Sequence, residues 1–107
     1  MQTLGQYLRD LREKHRISVR HLAARARITA PYLSDIELGR RYPSDRVMAD
    51  LAKALHTPVD ELRRYDPRAL MTELQKRLRD DPEYGHALLR LVSKCSTTEE
   101  LLRLIDR

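Results

Sequence analysis

Tryptophan and phenylalanine are missing from this chain of 107 residues, which has only three glycines and a single cysteine. Each shortage excludes something. Three glycines leave no Gly-rich loop to cradle a phosphate and few special turns from which to build a catalytic site. One cysteine, Cys95, cannot close an internal disulfide, and as a small apolar group on a helix face it reads as packing and not as a redox sensor. No apolar stretch approaches the roughly 20 residues needed to cross a bilayer. The first residues carry no signal-peptide pattern, so the expected location is the cytoplasm. His15, His21, His56 and His86 fall at no ligand spacing with one another or with Cys95, so no metal is expected. No nucleophile with a neighbouring base and no zinc-protease helix occurs; an enzyme is not expected and no cofactor is implied.

What is present is charge and aliphatic carbon. Charged residues make up 35% and hydrophobic ones 41%, a balance that favours an all-α bundle with an aliphatic core, and no run reads as a strand. The chain is long enough for one domain, or one small domain with an appendage. Residues 1–66 carry 13 Lys and Arg against 9 Asp and Glu, whereas residues 67–107 carry 8 against 7. The basic excess lies in the first part, which suits a polyanionic partner there.

The stretch from Ser18 to Gly39 organises that first part. Ser18 caps a helix in which Val19, Leu22, Ala23 and Ala26 share one apolar, mostly small face, which lets a following helix cross closely. Arg27 and Ile28 break it, and Thr29 caps a second helix from Ala30 to Leu38. Leu33, Ile36 and Leu38 are expected inward, with Ala30, Pro31, Tyr32, Ser34 and Asp35 outward; Gly39 supplies a left-handed helix end. Two helices joined so tightly make a helix-turn-helix, whose second helix can enter the major groove of DNA.

The phrase PYLSDIELGRRYPS, with the spacing and apolar pattern around it, resembles the lambda-repressor-like, or Xre-type, regulators of bacteria and phages from about Thr3 to Tyr65. The resemblance implies a five-helix DNA-binding domain over residues 1–65. It implies base-facing positions at Thr29, Ala30, Pro31, Tyr32, Ser34 and Asp35, and a structural ion pair between Arg12 and Glu37. Ser18, Arg20, Arg40 and Arg41 flank the reading helix and are the expected phosphate contacts. No Arg or Gln faces the groove for a bidentate base contact, so DNA shape is expected to carry a good share of specificity. Two positions depart from the family pattern. The glutamine usual after the cap of the first motif helix is Val19, and the glycine usual in the turn is Arg27, which must then adopt positive φ or reshape the turn.

The remaining elements follow from punctuation and periodicity. A first helix from about Thr3 to His15 carries Leu4, Leu8 and Leu11. Ser44 caps a helix from Asp45 to Leu55, and Pro58 is expected at the first position of a fifth that fades at Tyr65. Residues 66–107 read as three short helices, opened by Asp66-Pro67, Asp81-Pro82 and a Thr97/Glu100 capping box. Their stripes, which include Leu74, Leu78, Tyr84, Leu88, Leu91, Cys95, Leu101, Leu104 and Ile105, are too small to close a core alone and need a further surface. A second copy of the chain is the first choice, since such readers use paired half-sites. The expected function is a double-stranded DNA-binding transcription regulator, a repressor acting as a homodimer. The alternative is an antitoxin or protease-partnered regulator whose C-terminal helices grip another protein.

Overall fold

The computed structural model describes residues 2–106 and divides at Pro67 into two compact units. The described residues are all-helical. In the first unit, α1 spans Leu4–Lys14, α2 Val19–Arg25, α3 Ala30–Glu37, α4 Asp45–Ala54 and α5 Val59–Arg63. In the second, α6 spans Arg68–Asp80, α7 Pro82–Lys94 and α8 Thr98–Ile105.

Short polar side chains start the helices of the first unit. Thr3, Ser18, Thr29 and Ser44 sit in extended backbone, and each hydroxyl accepts from the amide three residues on, satisfying one of the donors that a helix start leaves without an acceptor. At Thr3 the bond is reciprocal, since the Gln6 side chain accepts from the Thr3 amide. The fifth helix differs from expectation. Pro58 occupies the cap position with no side-chain bond and Val59 is the first helical residue, because proline has no side-chain acceptor and its fixed φ serves the cap as well as the first turn.

Four helix ends share one device. After α1, α2, α3 and α4 the chain turns through positive φ at Arg16, Arg27, Gly39 and His56. At each of them one amide reaches back to the third carbonyl from the helix end, as in Ile17 to Arg12 and Ile28 to Ala23, both at 3.0–3.1 Å. This double-bonded ending normally takes glycine. Here only Gly39 is glycine, so three side chains are held in the left-handed region at a cost of about 1 kcal/mol each. The turn of the helix-turn-helix keeps its geometry with Arg27 in it.

The core of the first unit is aliphatic. Leu8, Leu22, Ala26, Leu33, Leu51, Leu55 and Leu62 are fully covered, with Ala23, Ile36 and Met48 beside them, and no polar or charged residue among those described is buried. Tyr7 stacks on Tyr65 with centroids 4.1 Å apart; burial raises the Tyr7 phenol above its ordinary range, and nearby Glu61 adds to this. Gly5 carries the crossing of α1 over the end of α3. A Cβ there would meet the carbonyl oxygens of Ile36 and Glu37, the former at 2.5 Å, so only glycine allows the helices this close.

In the second unit α6 packs against α7, and a Cβ at Gly85 would lie 2.5 Å from Leu78 Cδ2. The Asp81 carboxylate accepts from the Glu83 and Tyr84 amides and Pro82 takes the first turn. Thr97 Oγ1 accepts from the Glu100 amide at 3.2 Å. No residue of α6, α7 or α8 is buried. Leu74, Leu88 and Leu91 are half-buried, whereas Leu78, Tyr84, Leu101, Leu104 and Ile105 are exposed. Cys95, expected on the apolar face of its helix, is instead the half-buried residue that ends α7, because the backbone leaves helical geometry there at ψ 87°.

Candidate nucleic-acid interface

The helix α3 is held by its two apolar residues and by one ion pair. Leu33 and Ile36 are buried, which fixes one side of the helix on the core. At the far end Arg12 grips Glu37 through two bonds, Nε to Oε2 at 2.8 Å and Nη2 to Oε1 at 3.1 Å, while Nη1 donates to the Ile17 carbonyl at 3.0 Å. Their side chains are only 13% and 7% exposed. The bidentate bond to Glu37 raises the Arg12 pKa still further, against the opposing effect of burial. One guanidinium thus ties α1, the α1–α2 turn and the end of α3 together.

With that side fixed, the outer face of α3 is defined. Pro31 is exposed, Ala30, Tyr32, Ser34 and Asp35 are half-buried, and Thr29 is exposed at the cap, where its hydroxyl accepts from the Tyr32 amide at 3.2 Å. Ala30 and Tyr32 pack against the core on their inner sides. Leu38, expected inward, is 61% exposed. The reason is angular: at 100° per residue it lies beside Ser34 and Pro31, four and seven positions earlier, and away from Leu33 and Ile36. That same wheel is the signal in the sequence that adds Leu38 to the outer face.

The cations lie on α2 and in the loop after α3. Ser18 Oγ accepts from the His21 amide at 3.1 Å, and Ser18, Arg20, His21, Ala24 and Arg25 line an open cleft of about 610 Å³ along α2. Arg40 and Arg41 follow α3 and are exposed. Arg40 lies 3.7 Å from Asp35, and Arg41 lies over the Tyr32 ring at 5.5 Å from its centroid. Around the turn, Asp50 accepts from Arg27 at 3.0 Å and Arg46 at 2.7 Å, and Arg46 also reaches the Ala26 carbonyl at 3.3 Å. The hydrogen bond from Arg27, helped by the nearby charge of Arg46, lowers the Asp50 pKa. The substitution of arginine for the usual turn glycine therefore gains a partner on α4. Neither Arg27 nor Arg46 is a candidate from sequence, because their meeting with Asp50 depends on how α2 and α4 pack.

Among the described residues no group of His, Cys, Asp or Glu could hold a metal ion, and no helix is long and apolar enough to cross a membrane.

Comparison with known proteins places this geometry. A family model described as a helix-turn-helix domain matches residues 3–65. An uncharacterized HTH-type transcriptional regulator of Mycobacterium tuberculosis is 41% identical over 58 residues, covering 54% of this chain and 41% of that protein. The HTH-type transcriptional regulator DdrOP3 of Deinococcus deserti is 37% identical over 59 residues, covering 55% of this chain and 46% of that protein. The alignments thus span under half the length of these two relatives. Among solved structures, the clp gene regulator ClgR from Corynebacterium glutamicum is similar in two crystal structures. One is 34% identical with a TM-score of 0.52, over 55% of this chain and 77% of that one. The other is 28% identical with a TM-score of 0.55, over 78% of this chain and 89% of that one. The Leu33–Ile36 anchor, the Arg12–Glu37 clamp and a turn without glycine are how this sequence builds the motif, and the chain belongs to the helix-turn-helix family, whose relatives here are transcriptional regulators.

Proposed function

We propose that the protein is a sequence-specific double-stranded DNA-binding transcription regulator, acting as a repressor through α3 in the major groove. The observation that carries this reading is the outer face of α3. It is a short helix anchored through Leu33, Ile36 and Glu37, whose exposed edge is small and polar or apolar, with Ser18 and Arg20 at the start of the preceding helix and Arg40 and Arg41 directly after it. Phosphate contacts from that set, with the first-turn amides of α2, supply affinity and register. Ala30, Pro31 and Ser34 offer apolar and hydroxyl contacts to base edges, and DNA shape supplies further discrimination. Arg12 and Glu37 act structurally by fixing the tilt of α3. Similarity to a clp gene regulator makes clp genes the first targets to test.

The reading includes a homodimer through α6, α7 and α8, with two copies of α3 meeting half-sites about 34 Å apart. The exposure of Leu78, Leu101, Leu104 and Ile105 on these helices supports self-association. It equally favours a second reading, in which the same surface grips another protein. Light scattering on the full chain separates them: a dimer mass at micromolar concentration supports the first, a monomer that stays monomeric on DNA supports the second.

Gel-shift titration across salt concentrations tests DNA binding itself. Arg40→Ala and Arg41→Ala are expected to weaken binding to every sequence and to flatten the salt slope by about 0.9 for each phosphate no longer neutralised. Salt-independent binding would overturn the reading.

A further inference from the structure

The two arginines that follow α3 each stand beside a side chain of α3. The Arg41 guanidinium carbon lies 5.5 Å from the Tyr32 ring centroid, inside the distance at which a cation is drawn to an aromatic face. Arg40 Nη1 stands 3.7 Å from Asp35 Oδ1, and the Arg40 amide donates to the Asp35 carbonyl at 2.9 Å. Tyr32 is itself packed against the core, so its ring is a fixed platform. In both pairs the helix supplies the anchor and the loop supplies the cation.

The chemistry of each pair leaves the cation able to take a second partner. A guanidinium drawn to an aromatic ring uses none of its N–H groups on a hydrogen-bond acceptor there, so a phosphate can accept them. A guanidinium beside a carboxylate has five donors and can serve carboxylate and phosphate together. A bare Asp35 carboxylate on a DNA-facing helix would instead repel the backbone. An intervening Arg40 removes that conflict.

We propose that Tyr32 and Asp35 are positioning residues that aim Arg41 and Arg40 at the phosphate backbone and do not read base edges. This rests on the DNA-binding function proposed above. Its consequence is that direct readout narrows to the cap residue Thr29 and to Ala30, Pro31, Ser34 and Leu38.

The test uses the full chain and a duplex enriched by the wild-type protein from a random-sequence pool, followed by fluorescence anisotropy across potassium chloride concentrations. Tyr32→Phe keeps the ring face and should match wild type in affinity, salt slope and enriched sequence. Tyr32→Leu should weaken binding about two- to fivefold, lower the salt slope by about 0.9, and add no further loss in an Arg41→Ala background. Asp35→Asn should leave the enriched sequence unchanged. A changed base preference in Tyr32→Phe or Asp35→Asn overturns the proposal, as does a Tyr32→Leu loss fully additive with Arg41→Ala. If Tyr32→Leu melts well below wild type, Tyr32→Phe and Asp35→Asn decide the matter through the enriched sequence. A wild-type chain that binds no duplex at all is a different result, which removes the functional reading and the proposal with it.

Discussion

The two units of this chain solve the same problem with opposite outcomes. Residues 2–67 close an aliphatic core in which Leu8, Leu22, Leu33, Leu51, Leu55 and Leu62 are wholly shielded from solvent. Residues 68–106 have stripes of similar character, yet nothing on α6, α7 or α8 is buried. The difference lies in the number of faces available. Five helices crossing at close quarters can surround a leucine, whereas one packed pair and a third helix give each leucine neighbours on one side only. A stripe of leucine is therefore evidence of helix, and its burial depends on how many other elements can reach it.

The sharpest way to break that comparison is matched truncation. Leu51→Ala should destabilise the protein by about 2–5 kcal/mol, through forfeited transfer energy and the cavity left behind. Leu89→Ala, at a position 65% exposed, should cost less than about 0.5 kcal/mol in dilute solution. Urea titration of both reads the contrast. Equal losses would mean that the second unit is covered in solution, and a concentration-dependent loss for Leu89→Ala would identify self-association as the cover.

Next in size is the clamp at the end of α3. Glu37→Ala leaves the Arg12 guanidinium in a site where its side chain is 13% exposed, and should cost about 3 kcal/mol. Replacing both partners by Met and Leu should cost less than Glu37→Ala alone, since no charge is then stranded. A double-mutant cycle by thermal melting measures the coupling; additive losses would show that the pair holds nothing.

The helix ends give a smaller, opposite effect. His56→Gly relieves a left-handed side chain at φ 52° and raises unfolded-chain entropy, leaving a net stabilisation of about 0.5 kcal/mol. Gly39→Ala, at φ 80°, should destabilise by about 1 kcal/mol. These paired melts show whether the shared ending is strained where glycine is missing.

The smallest effect is electrostatic. Asp50 has a folded-state pKa below its unfolded value because Arg27 and Arg46 favour its charged form. Its contribution is therefore present above the unfolded value, about 3.9, and fades as pH falls through the lower folded value. Asp50→Asn should melt slightly lower than wild type at pH 7, and the two should converge once the pH has fallen through the lowered folded value. A difference that persists in acid would assign the effect to packing.

How far these features can be read in the sequence depends on how local their causes are. The caps at Thr3, Ser18, Thr29 and Ser44 are visible because a hydroxyl bonds to an amide only three residues away. Positive φ at Arg27 is visible only because a glycine is usual there in the resembling family; Arg16 and His56 adopt it with nothing local to mark them. Gly5 is similar, since what it admits is the backbone of residues 36 and 37. Arg12 and Glu37 lie more than 20 positions apart, so no periodicity joins them and only the family resemblance announces their pairing, which the structure forms; the equally distant meeting of Asp50 with Arg27 has no such sign. Leu38 is the exception among the differences, because the helical angle alone puts it outward.

The central claim is that the outer face of α3, with its flanking cations, is the surface that meets the duplex. Amide chemical-shift mapping of the full chain against the duplex it enriches from a random pool tests this most directly. The account predicts the largest shifts at Val19–His21, Ala30–Asp35 and Gly39–Tyr42, with α5 and α6 little changed. Shifts concentrated on α5 or on α6–α8, with Ala30–Asp35 silent, would contradict it.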